Sequence, residues 1–230
     1  MVCGATLAYH EKSVEVICNY CGESEHGHIT CPNNHYICDN CHNRDAMRTI
    51  ENIIFTTESS NPSTIAELAM SFPGLPMLGC HHAYIAGGAL MAALKNEGIP
   101  QISNDEIVEI FKRSGKQAHG GYCGLTGVCG IAPAIGACFA LLTGSKCSTN
   151  DEQRITMEVV SKVIRAITEL TGPSCCKAYV RASLEVAIEF LRKNLDITLP
   201  TEQKTKCSHS AEHPHGCRES QCPYFGPSQN

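Results

Sequence analysis

Two Cys-x-x-Cys pairs, Cys18-Asn19-Tyr20-Cys21 and Cys38-Asp39-Asn40-Cys41, constrain this chain more tightly than any other feature. Two intervening residues let both sulfurs of a tight turn reach one ion, and a second such turn completes a tetrahedron. The 16 residues between the pairs are a spacing that structural metal modules use. After Cys41, the apolar positions Met47, Ile50, Ile53 and Ile54 follow a helical period from Asp45 to Phe55. A knuckle followed by a Cys pair that opens a helix predicts a treble-clef-like zinc module over residues 1–57. Tetrahedral four-sulfur sites suit iron as well, so a rubredoxin-like iron stays open. Cys3, Cys31 and His35 offer a second site, with His26, His28 or His42 as its fourth ligand. The other reading of Cys31 and His35 is that they pack around the first ion.

Cysteine is abundant throughout, sixteen in 230 residues, alongside eleven His. Secreted disulfide scaffolds reach such densities behind a signal peptide, and no basic-then-apolar leader opens this chain. The expectation is a cytoplasmic protein whose thiols bind metal or do thiol chemistry. No apolar run reaches the roughly 18 residues a membrane span needs. A net charge of −5 gives no basic surface for nucleic-acid phosphates. Neither a membrane nor a nucleic acid is expected as partner.

Three zones, residues 1–57, 79–199 and 200–230, differ in composition, with 58–78 connecting the first two. Residues 58–78, with Asn61-Pro62, Phe72-Pro73-Gly74 and Leu75-Pro76, read as a linker around a short helix from Ile65 to Met70. Residues 79–199 form a bundle of about five helices, which makes the chain mainly α. Their spans are His81 to Leu94, Asp105 to Arg113 (capped by Ser103 or Asn104), Ile131 to Leu142, Glu152 to Leu170, and Cys175 to Leu195 behind Ser174 as N-cap. Residues 200–230 are a Cys/His-rich tail that carries little core.

Thiols gather at the helix starts. Cys80, Cys129 and the vicinal Cys175-Cys176 all sit beside Gly or His at or near a helix N-terminus, and Cys123 lies in the Gly-rich loop before Cys129. The partial positive charge there favours thiolate and predicts lowered pKa values. Cys80, Cys123, Cys129, Cys175 and Cys176 are the candidate catalytic thiols. His81 and His119 are the accompanying ligands or proton donors, with His82, Tyr84 and Tyr122 behind them. Cys138 reads as core filler and Cys147 as a loop thiol. In the tail, Cys207, Cys217 and Cys222 are one ligand short of a four-Cys site, and Cys222 is followed by Pro, as in some iron–sulfur proteins. The tail either folds back and joins Cys80, Cys123, Cys129 and Cys176 in holding a cofactor, or binds a separate zinc through His213 or His215. A disordered tail with adventitious metal affinity is the third reading.

Two resemblances rest on these residues. The order Cys80, then Cys123-Gly124 through Cys129-Gly130 into an Ala/Gly-rich helix, then Cys175-Cys176 before a final helix, resembles the C-GCAxxG-C-C family, to which redox activity is ascribed. This chain departs from it at His81-His82 and in the extra thiols Cys123 and Cys138. With Cys18-Asn-Tyr-Cys21-Gly22, His35-Tyr-Ile-Cys38-Asp-Asn-Cys41-His42 and the Cys123/Cys129 segment, the whole chain is similar to the family of unknown function DUF5714. Members of that family sometimes carry a methyltransferase label. No strand followed by a Gly-x-Gly loop supports it here.

The function expected is therefore a zinc-binding protein, with an iron–sulfur cluster or a dithiol in its helical domain, that exchanges electrons or sulfur with a partner protein. In the thiol version a low-pKa cysteine attacks a disulfide or persulfide. The competing reading is a zinc-dependent adaptor that recruits a partner enzyme, the helical thiols being structural. Metal storage is a third reading. A hydrolytic zinc enzyme is disfavoured because no His-Glu-x-x-His motif is present.

Overall fold

The computed structural model describes residues 5–170, 172–201 and 206–226, so Cys3 lies outside the described residues. Contacts divide the chain into two units, Met1–Met47 and Arg48–Asn230. Among the described residues eight α-helices make it mainly α, 53% helical, beside one two-stranded sheet.

In the first unit β1 (Ala8–Ile17) pairs antiparallel with β2 (Ser24–Thr30), with Ile17 opposite Ser24 and Ala8 opposite Thr30. Along β1 the half-buried Val14 and Val16 alternate with exposed Glu15 and Ile17. A single hairpin of this polarity buries too little apolar surface to hold its own shape. The helix α1 (Asp39–Thr56) begins at the second Cys pair, earlier than the apolar spacing from Asp45 suggests, and its last turns belong to the second unit.

The second unit is built around α3 (His81–Asn96), in which every residue from Ile85 to Leu94 is buried. A helix apolar on all sides must be surrounded. Here α2 (Pro62–Met70), α4 (Asn104–Gly115), α6 (Ile131–Thr143) and α8 (Cys176–Asn194) surround it. Small residues permit the approach. A Cβ on Gly88 would stand 2.9 Å from Phe111 Cε1 and 3.1 Å from Ile54 Cγ1. α5 (Tyr122–Thr126) is a single turn between Gly121 and Gly127, both in the left-handed region. α7 (Asp151–Glu169) packs on α6 and α8 with only Val159 and Val163 buried.

Ser103 caps α4 as expected, in a reciprocal capping box with Glu106. Ser174 does not cap α8. Cys175 holds the N-cap position in an extended conformation and makes no side-chain cap bond. The stretch 58–78 carries a helix longer than its apolar positions suggest. Asn61 Oδ1 accepts from the Ser63 and Thr64 N–H groups at 2.9 and 3.2 Å. Ile65, Ala66, Ala69 and Met70 of that helix are buried, and it packs on α3 and α8.

Within the described tail, 206–226, two short 3-10 turns (Ser210–Glu212 and Glu219–Gln221) are closed by a parallel bridge between Cys207 and Phe225. Tyr224 is buried, its ring under the Arg181 guanidinium of α8. Arg218 Nη2 donates to the Pro173 carbonyl at 2.7 Å, and His213 Nε2 contacts the Ser174 carbonyl at 3.1 Å. This part of the tail is docked at the start of α8. Among the described residues no helix is long and apolar enough to cross a membrane.

Candidate metal centres

The knuckle between β1 and β2 is set by backbone bonds from Gly22 N–H to the Cys18 carbonyl and from Cys18 N–H to the Glu23 carbonyl, both 2.9 Å. It is tied to the approach of α1 by Asn19. The Asn19 N–H donates to the Tyr36 carbonyl at 2.8 Å, and its side-chain oxygen accepts from Tyr36 N–H at 3.1 Å. This arrangement brings Cys18, Cys21, Cys38 and Cys41 together, all four sulfurs within 4.8 Å of one another. Cys21 Sγ stands 3.7 Å from Cys38 Sγ. A tetrahedral ion with metal–sulfur bonds of about 2.3 Å has an edge of about 3.8 Å, so the group can hold one metal ion. Zinc and iron suit four thiolates alike.

Backbone N–H groups stabilise the sulfurs. Burial opposes ionisation of Cys18, but donation from the N–H groups of Cys38, Cys21 and Tyr20 reverses the balance and pulls its thiol down to about 6. Cys38 is pushed up to about 12, first by burial and then by the neighbouring thiols. Cys18 thus ionises readily, and a cation bound by the group would hold its ligands as thiolates. Cys31 Sγ and His35 Nδ1 stand 3.7 Å apart. No third described ligand joins them within single-ion reach, and His28 Nδ1 instead meets the His10 carbonyl at 3.1 Å.

The thiols of the second unit, Cys138 and Cys147 apart, fall into two groups. In the first, Cys176 accepts from Gly79 N–H at 3.5 Å, and Cys80 follows that glycine as N-cap of α3. Cys123 Sγ lies 3.9 Å from Ser174 Oγ. Burial pushes Cys176 up to about 12, with Cys129, Cys123 and Cys175 close enough to add to the rise. Cys129 is pushed up to about 11 by burial, and Cys123 adds to it. Cys123, Cys129 and Cys176 therefore converge, with Cys80 one residue from the backbone group that bonds Cys176. In the second group Cys175, Cys207, Cys217 and Cys222 line one small cavity with His213 and Arg218.

The helix starts are where the sequence places them, but the direction of the pKa shifts is opposite to the expectation. Burial raises Cys129, Cys175 and Cys176, and the N–H bonds from Ile131, Ala178 and Gly79 offset it only in part. Desolvation of a thiolate outweighs the helix terminus. Cys138 is buried core, its thiol donating to the Ala134 and Gly87 carbonyls at 3.3 and 3.5 Å, and Cys147 is exposed. His119 is exposed and stacks near Tyr122, with ring centroids 5.3 Å apart. His81 is fully buried, with Nε2 3.2 Å from the Pro76 carbonyl.

Several charged residues near the thiols were not singled out from the sequence. Lys177 is almost fully buried and donates to the Met70 carbonyl at 2.6 Å. Arg181 Nε and Nη2 donate to the two Glu67 oxygens at 2.5 and 2.8 Å. The i, i+4 spacing of Lys177 and Arg181 on the otherwise apolar face of α8 was the available signal, since cations on such a face are buried only with partners.

Residues 50–225 match the model of a family of unknown function, DUF5714. Both thiol groups of the helical unit lie inside that stretch, and the four-cysteine group of the first unit precedes it. No curated protein and no solved structure matches the chain.

Proposed function

The chain belongs to the family of unknown function DUF5714, and on that premise we propose that it is a metalloprotein with an electron- or sulfur-transfer role. Cys18, Cys21, Cys38 and Cys41 hold zinc. Cys80, Cys123, Cys129 and Cys176 hold an iron–sulfur cluster that serves a donor or acceptor protein. The observation that carries this reading is the convergence of Cys123, Cys129 and Cys176 from separate segments, with burial raising the Cys129 and Cys176 thiols. A nucleophilic dithiol needs a thiolate near neutral pH, which burial opposes. A metal ligand does not, because coordination itself removes the proton. That contrast favours the cluster over thiol exchange.

The test is a redox titration on protein purified without oxygen. A visible band that bleaches and returns with dithionite and oxidant, unchanged in Cys18→Ser and diminished in Cys129→Ser, is the expected result. A colourless protein, or a band unchanged in Cys129→Ser, defeats the proposal. The adaptor reading draws on Tyr9, Ile17 and Tyr20, which are 61%, 62% and 69% exposed on the first unit. It requires zinc alone and an unaltered helical unit in Cys129→Ser.

A further inference from the structure

Read along the chain, the tail is one ligand short of a four-cysteine site. The fold supplies a fourth thiol, because Cys175 lines the same cavity as Cys207, Cys217 and Cys222. The vicinal pair is divided by local geometry. Cys175 is extended (φ −128, ψ 101), and Cys176 is the first residue of α8. In an extended residue the side chain points away from that of its neighbour, so one sulfur joins the tail and the other joins the Cys123/Cys129 group.

The cavity is prepared for an anionic occupant. Arg218 lines it, and its Nη1 is buried with no hydrogen-bond partner, while Nη2 is held by the Pro173 carbonyl. An unpaired buried donor of this charge is costly unless an acceptor fills the space before it. The sulfurs themselves receive backbone N–H groups, from His209 to Cys207 and from Glu219 to Cys217, both 3.3 Å. The Ala178 N–H serves Cys175 in the same way. The knuckle of the first unit has the same bond, from Tyr20 N–H to Cys18 at 3.4 Å. Spacing distinguishes the two sites. No three ligand atoms of this cavity lie within 4.8 Å of one another, as the four sulfurs of the first unit do. They are too widely set for the roughly 3.8 Å edge of a single-ion tetrahedron. Sulfurs bound to different irons of one cluster stand further apart than that edge.

We propose that Cys175, Cys207, Cys217 and Cys222 hold an iron–sulfur cluster of their own, with Arg218 donating to its sulfurs, separate from the group that contains Cys176. The assignment goes beyond the function proposed above and stands whether or not Cys80, Cys123, Cys129 and Cys176 hold a cluster.

The full-length protein, reconstituted anaerobically with ferrous iron and sulfide, tests it against Cys147→Ser as an exposed-thiol control. Cys175→Ser, Cys207→Ser, Cys217→Ser and Cys222→Ser are each expected to lose the same matched amount of iron and acid-labile sulfide, and Cys176→Ser to retain it. Far-UV circular dichroism checks that each variant is folded. Alkylation mapping of the wild type needs no variant: the four thiols become protected from iodoacetamide together when iron and sulfide are added. Loss of the same iron in Cys176→Ser overturns the separation of the two groups. Tail variants that keep all their iron, zinc in place of iron and sulfide, or tail thiols that stay reactive after reconstitution overturn the site itself. If Cys129→Ser keeps all its iron while Cys222→Ser loses some, the function proposed above fails and this assignment survives.

Discussion

The two units use cysteine in opposite ways. The first places four sulfurs within the reach of one ion, two in the turn of a hairpin too polar to fold around a core of its own and two at the start of α1. The second has a core of fully buried side chains, among them Ile85, Leu90, Met91, Ile107 and Phe139, and sets Cys80, Cys129, Cys175 and Cys176 at or near helix starts around that core. In the first unit a bound metal would supply folding free energy. In the second the fold stands on its own core and presents the thiols. The contrast explains why the sulfurs of the first unit are closely set and those of the second are not.

Metal removal is the sharpest test of this contrast and carries the largest effect, since a structural tetrathiolate ion contributes on the order of 10 kcal/mol. A strong chelator, or Cys38→Ser, is expected to collapse the amide signals of residues 5–47 in a heteronuclear NMR spectrum while most signals of the helical unit stay in place. Loss of both sets together would remove the distinction. Next comes Glu67→Ala, which leaves Arg181 buried without its partner at a cost of about 3 kcal/mol. Urea unfolding should register that loss in the helical unit with the first-unit metal content unchanged. Gly136→Val follows. A Cβ there already falls 2.4 Å from Val160 Cγ2, so forcing α6 and α7 apart should cost about 2 kcal/mol. A thermal melt that is no lower than wild type would show that the contact yields freely. Smallest is Ser103→Ala, which removes one side of the capping box of α4 for about 1 kcal/mol. It should lower the denaturant midpoint of the helical unit without altering the metal content of the first.

What the sequence made legible follows from the same contrast. Helices with a one-sided or continuous apolar face were readable to within a few residues. Ile131–Leu142 was expected and Ile131–Thr143 is found, and Glu152–Leu170 corresponds to Asp151–Glu169. The Cys18, Cys21, Cys38 and Cys41 group was readable because ligand spacing is a local property. The hairpin was not, because Tyr9-His10-Glu11-Lys12 carries almost no apolar alternation and its pairing is irregular between Tyr9 and Val14. Nor was the place of α2 in the core, since Asn61-Pro62 and Phe72-Pro73-Gly74 mark turns wherever they occur. The partition of Cys175 from Cys176 depends on one backbone conformation and on a tail that returns from far along the chain. The direction of the thiol shifts depends on burial, which sequence position beside a helix start does not reveal.

The enclosure of α3 has a consequence for how the protein breathes. Amides between Ile85 and Leu94 are covered by four other helices, so solvent deuterium should reach them only when the whole helical unit opens. α7, in which only Val159 and Val163 are buried, has far less to hold its amides closed. Isotope uptake should therefore spread inward from α7, with α3 the last segment to be labelled.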